Sequence, residues 1–98
     1  MSNLTEIIKG KKPVLIDFYA TWCGPCKMMS PILKDLKIAL GDDVIILKID
    51  IDKNPLIATK YQIKGVPTFM LFKENKMYWR QSGMLTKNDL INIIKKYI

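Results

Sequence analysis

Apolar positions in this chain switch between a helical and an extended period, and the order of the switches outlines an architecture. Leu4, Ile7 and Ile8 stand at helical spacing, which predicts a short helix from about Asn3 to Lys9. Gly10-Lys11-Lys12-Pro13 ends it. Val14-Leu15-Ile16-Asp17-Phe18-Tyr19 is a near-continuous apolar run, as in a strand covered on both faces. Met29, Ile32, Leu33, Leu36 and Leu40 then return to the helical period and stop near Gly41-Asp42-Asp43. Pro31 falls inside that helix and is expected to kink it.

The second half repeats the logic with different parts. Val44 to Asp50 reads as another buried strand, and Asn54-Pro55 as the N-cap and first residue of a helix to about Tyr61. Thr68 to Phe72 and Met77 to Gln81, separated by Lys73-Glu74-Asn75-Lys76, read as an antiparallel hairpin. Thr86 with Asp89 three residues on resembles a capping box before Leu90, Ile93, Ile94 and Tyr97, one more helical face. Strand, helix, strand of this length implies a parallel βαβ unit with a right-handed crossover. A further helix joins it to a ββα half. The expected class is therefore α/β, a central mixed four-stranded sheet with helices on both faces.

Composition narrows the field. With 98 residues, 49% hydrophobic and 26% charged, the chain suits one globular domain over residues 1–98. No stretch approaches the roughly 18–20 apolar residues of a membrane span. The start, Met1-Ser2-Asn3-Leu4-Thr5-Glu6, lacks a charged-then-apolar secretory layout, so a cytoplasmic location is expected. The formal charge of +7 comes almost wholly from lysine, with Arg80 the sole arginine. These lysines are scattered from Lys9 to Lys96 without an arginine-rich stripe, a solvated surface rather than a nucleic-acid footprint.

Cysteine usage changes the picture most. The chain has two cysteines, Cys23 and Cys26, and no histidine. A structural zinc site needs about four Cys or His ligands, so no metal is expected unless two chains pool their sulfurs. A structural staple would close too small a loop to contribute more than roughly 2 kcal/mol. Instead, the C-x-x-C follows a strand and opens a helix, the placement of a redox dithiol. Cys23 lies at the helix N-terminus, where unpaired N–H groups favour a thiolate. Cys26, one turn on, should be shielded. Cys23 is thus the expected attacking sulfur and Cys26 the resolving one. Gly24 is read as permitting a tight turn, and Pro25 as fitting the first helical turn. This uncharged spacer favours a reductase over an oxidase or isomerase.

Two other residues stand out. Asp17 is an acid inside a buried strand, which normally raises a carboxyl pKa; such a group can pass protons to or from a thiol. It could instead be a structural carboxylate paired with Lys48 on the neighbouring strand. Pro67, in Gly65-Val66-Pro67-Thr68, lacks an N–H at a strand start; trans is the default for its peptide bond, and cis is allowed.

From about Val14 onward the chain resembles the thioredoxin family. Asp17-Phe18-Tyr19-Ala20-Thr21-Trp22-Cys23-Gly24-Pro25-Cys26-Lys27 matches its active-site segment, and Pro31-Ile32-Leu33 follows at the family's distance. Asp50-Ile51-Asp52-Lys53-Asn54-Pro55 and Gly65-Val66-Pro67-Thr68 match two further blocks, and Ser82-Gly83 resembles its glycine loop. The resemblance implies a protein-disulfide reductase of cell redox homeostasis, with a Cys23–Cys26 redox pair. Asp17 would be the buried acid behind Cys26, modulated by Lys48. The Val66–Pro67 bond would be cis, with Pro67 beside the cysteines. Trp22, the backbone of Val66, Pro67 and Gly83 would form the client groove. No bound cofactor is implied; electrons would come from NADPH through a thioredoxin reductase. The partners would be that reductase and disulfide-bearing clients, with no nucleic acid or membrane, and the chain a monomer.

Departures from the family pattern are specific. Its extra N-terminal strand is expected to be missing. Tyr19 stands where tryptophan is common, Glu74-Asn75 where a hairpin glycine is usual, and Ser82 where the residue is usually apolar. Trp79 is also unusual and is read as edge-strand packing. A binding module of the same fold within a larger assembly is the alternative from another class.

Overall fold

A computed structural model describes residues 4–98, so the expected helix start at Asn3 lies outside the described residues. The elements are α1 (Leu4–Ile7), β1 (Val14–Tyr19), α2 (Gly24–Leu40), β2 (Ile45–Asp50), α3 (Pro55–Lys60), β3 (Thr68–Lys73), β4 (Lys76–Ser82) and α4 (Lys87–Ile94). Short 3-10 turns follow α2 and α4. The strands make one sheet ordered β2-β1-β3-β4. β1 runs parallel to β2 and antiparallel to β3, which pairs antiparallel with β4. Among the described residues no strand precedes β1.

Alternation along the central strands divides the core into two layers. Leu15, Phe69 and Leu71 pack with Met29, Leu33 and Leu36 of α2 and Leu90 and Ile94 of α4. Val14, Ile16, Phe18, Met70 and Phe72 face the other way, toward Leu4, Ile57 and Tyr61. Each fully buried side chain of this size stabilises the fold by about 1.5–3 kcal/mol. Helices thus cover both faces. Asp17 shares the face of Leu15, which makes it a carboxylate set into an apolar layer.

β2 departs from expectation. Ile45, Ile46 and Leu47 are only half-buried and Lys48 is exposed, because β2 forms a sheet edge; only Ile49 and Asp50 are buried. The helix α2 continues unbroken through Pro31. Asn54 occupies the N-cap position of α3, but its side chain does not cap. Its amide donates back to Asp50 O at 3.0 Å, while Asp50 Oδ1 accepts from Asp52 N at 2.9 Å. Asp50 therefore organises this turn.

The hairpin turn places Glu74 at φ 52° and Asn75 at φ 67°, both left-handed without glycine. Their amides are tied to the loop after α1, Glu74 N to Gly10 O at 3.0 Å and Asn75 N to Ile8 O at 2.7 Å. Trp79 is half-buried against the α2–α4 layer, so its role is packing. Thr86 and Asp89 form the reciprocal capping box of α4, with Asp89 N donating to Thr86 Oγ1 at 3.1 Å.

Candidate active site

Where β1 ends, the chain makes a short turn through Ala20 and enters α2 with Cys23 as N-cap. The cap geometry is extended, φ −91° and ψ 112°, so the Cys23 sulfur turns back over the first helical turn. It accepts the Cys26 backbone N–H at 3.1 Å. An orphan helix donor is thereby aimed at the sulfur that would carry negative charge after reduction. The two sulfurs are joined in a disulfide. Cys23 is 5% exposed and Cys26 3%, so solvent access does not separate their roles. What sets Cys23 apart is its N-cap position. Pro25 occupies the first turn as expected, whereas Gly24 has no positive φ and open space where a Cβ would stand. The tight-turn reason for Gly24 is not found.

Around the sulfurs, Ala20 is packed with Tyr19, Ile51 and Val66. The Val66–Pro67 bond is cis, as the resemblance implies and against the default from sequence alone. Val66 O lies 3.7 Å from Cys23 Sγ. Gly83 sits at φ 94°, where a side chain is disfavoured, and its N–H donates to Pro67 O at 2.9 Å. Cys23, Val66, Pro67 and Gly83 are thus linked contact by contact. Trp22 projects beside them, 68% exposed, its indole N–H donating to Asp52 Oδ2 at 2.9 Å. Asp52 joins the site through this bond alone; its sole signal in the sequence is its place in the Asp50-to-Pro55 block.

Asp17 is fully buried, and neither carboxylate oxygen has a hydrogen-bond partner. Burial pushes its pKa from 3.8 up to about 6, against the opposing pull of the Lys48 charge. Lys48 is its register partner on β2. The structural pairing of the two is nonetheless absent: Lys48 Nζ donates to Ser30 Oγ at 2.9 Å and lies 5.0 Å from the Tyr19 ring centroid. An exposed ammonium on an edge strand stays solvated while bonding the Ser30 hydroxyl, whereas reaching the fully buried Asp17 carboxylate would desolvate it. Tyr19, Cys26, Lys27, Ser30 and Lys48 line a cleft of about 210 Å³.

Among the described residues, no group of three or more His, Cys, Asp or Glu side chains is arranged to hold a metal ion, and no helix is long and apolar enough to cross a membrane. What the site offers is a two-electron dithiol–disulfide couple, with a fully buried acid on the strand that leads into it.

Comparison with known proteins agrees. The family model for Thioredoxin matches residues 2–96. Thioredoxin from Rickettsia felis is 43% identical over 93 residues, which cover 95% of this chain and 89% of that protein. Thioredoxin Y2, chloroplastic, of Arabidopsis thaliana is 51% identical over 84 residues, 86% of this chain but 50% of its own length. This chain thus spans half the length of that plant relative. Among solved structures, oxidised mitochondrial thioredoxin 3 from Saccharomyces cerevisiae superposes with a TM-score of 0.87 at 39% identity, covering 97% of this chain and 88% of that one. The chain belongs to the thioredoxin family, whose members are protein-disulfide oxidoreductases.

Proposed function

We propose that this chain reduces disulfides in other proteins through Cys23 and Cys26. The observation that carries the reading is the Cys26 N–H aimed at Cys23 Sγ across the helix start, 3.1 Å apart in the disulfide form. In the dithiol form, that donor stabilises a Cys23 thiolate. The thiolate attacks one client sulfur; the other client sulfur leaves and takes up a proton, giving a mixed disulfide. Cys26 then gives up its proton, attacks Cys23 Sγ and expels the second client thiol. Two electrons pass from the Cys pair to the client.

Asp17 is the proposed acceptor of the Cys26 proton, and its pKa of about 6 suits exchange near neutral pH. Lys48 tunes that acid by its charge. Trp22, the Val66 backbone, Pro67 and Gly83 form the proposed client groove, and Gly24-Pro25 the uncharged spacer. The reading includes re-reduction of the Cys23–Cys26 disulfide by NADPH through a thioredoxin reductase, action as a monomer, and a reducing compartment such as the cytoplasm. Several relatives carry chloroplastic names, so a reducing organelle fits the same chemistry.

Insulin reduction with dithiothreitol as electron source tests it. Wild type should accelerate precipitation of the insulin B chain well beyond Cys23→Ser; equal rates would end the reductase reading.

A further inference from the structure

Arg80, the sole arginine, lies on edge strand β4 and reaches across to another element. Its Nη1 donates to Tyr61 O at 2.5 Å and its Nη2 to Gln62 O at 2.9 Å. These consecutive carbonyls end α3, where the chain leaves through Gln62 at φ 52°. A left-handed glutamine is disfavoured alone and persists where its surroundings hold it. A planar guanidinium fork suits two adjacent acceptors.

Two residues on, Ser82 faces the same side of β4. Its Oγ lies 2.9 Å from Thr68 Oγ1, and Thr68 spends its single hydroxyl hydrogen on Gly65 O at 2.6 Å. Ser82 must therefore be the donor to Thr68. Gly83 N–H then holds Pro67 O. β4 and the glycine that follows it thus grip residues 61–67 at both ends, and this segment presents Val66 O to Cys23 Sγ at 3.7 Å.

We infer that Arg80 and Ser82 are positioning residues for client recognition, holding segment 61–67 so that the Val66 backbone keeps its place beside Cys23. The inference rests on the reductase reading with Val66 in the client groove. It also gives a reason for the hydroxyl at 82, which an apolar side chain would not supply.

Reduced wild type, Arg80→Met, Arg80→Lys and Ser82→Ala are to be compared by stopped flow with insulin and with 5,5′-dithiobis(2-nitrobenzoic acid), a disulfide with no polypeptide strand to dock. Half-saturation by insulin should rise about fivefold in Arg80→Met, with the maximal rate and the small-disulfide rate held within about twofold. Arg80→Lys should recover part of the loss, and Ser82→Ala should move the same parameter by a smaller factor. An unchanged insulin half-saturation in a folded Arg80→Met, or an equal fall with both disulfides, overturns the inference. Amide exchange of residues 63–66 in the oxidised protein reads the clamp without turnover: faster exchange in Arg80→Met is expected, and unchanged protection overturns it. A wild type inactive on both disulfides sinks the reductase reading instead, and the exchange result still decides the clamp.

Discussion

Asp17 and Lys48 are register partners on adjacent strands, yet the lysine bonds Ser30 and leaves both carboxylate oxygens of Asp17 without a hydrogen-bond partner. The acid is therefore buried without a hydrogen-bonded partner. Its charge is costly there, and the protonated form is the one the fold favours.

That cost sets a pH dependence. The folded pKa of Asp17, about 6, lies above the ordinary 3.8, so the folded state binds this proton more tightly than the unfolded chain. The stabilisation from protonated Asp17 is complete below pH 3.8 and is lost as pH rises through about 6. The whole loss is about 3 kcal/mol. Asp17→Asn should therefore be more stable than wild type at pH 8 by up to about 3 kcal/mol, with the gap closing toward pH 4. Urea unfolding at both pH values measures it; an equal gap at both would remove desolvation as the cause.

Division of labour between the sulfurs has a covalent signature. Cys26→Ser should accumulate a mixed disulfide between Cys23 and a client, because the resolving attack is gone. Cys23→Ser should accumulate none. Non-reducing gels followed by mass spectrometry distinguish the two, and adducts on Cys26 in Cys23→Ser would reverse the assignment.

How far the sequence carries depends on the residue. The apolar periods of Val14 to Tyr19 and Met29 to Leu40 specify a covered strand and an amphipathic helix, and the C-x-x-C between them locates the site. The two strands place Lys48 on the neighbour of the Asp17 strand, and the structure sets the two residues in register. The direction of a flexible lysine is not legible in the sequence, because Ser30, its actual partner, comes from α2 and joins it only through packing. β2 read as buried since Val44 to Leu47 are all apolar; its edge position depends on strand order. Ser82 is a bare departure in the sequence, because its partner Thr68, and the Gly65 that Thr68 bonds, come from another part of the chain and meet it only in the fold.

Trp22 and Asp52 give a further check. The indole N–H to carboxylate bond at 2.9 Å fixes an exposed ring beside Cys23. Asp52→Ala should cost little stability, under about 1 kcal/mol for so exposed a bond. It should change Trp22 fluorescence and raise insulin half-saturation about two- to threefold. A fluorescence change without any kinetic effect would remove the ring's orientation from client binding.

Away from the site, Thr86→Ala removes the capping box of α4 and should destabilise the protein by about 1 kcal/mol without altering insulin half-saturation. Thermal or urea unfolding reads the first effect, and insulin kinetics the second.

The central claim is that this pair gives electrons to clients rather than taking them, and its reduction potential tests that most directly. Equilibration in glutathione buffers of defined ratio, with acid quench and thiol alkylation, counts the Cys23–Cys26 disulfide at each potential. A midpoint near the value of about −270 mV general for thioredoxins is the expected result. A midpoint at or above about −180 mV, the range of an isomerase, would contradict it.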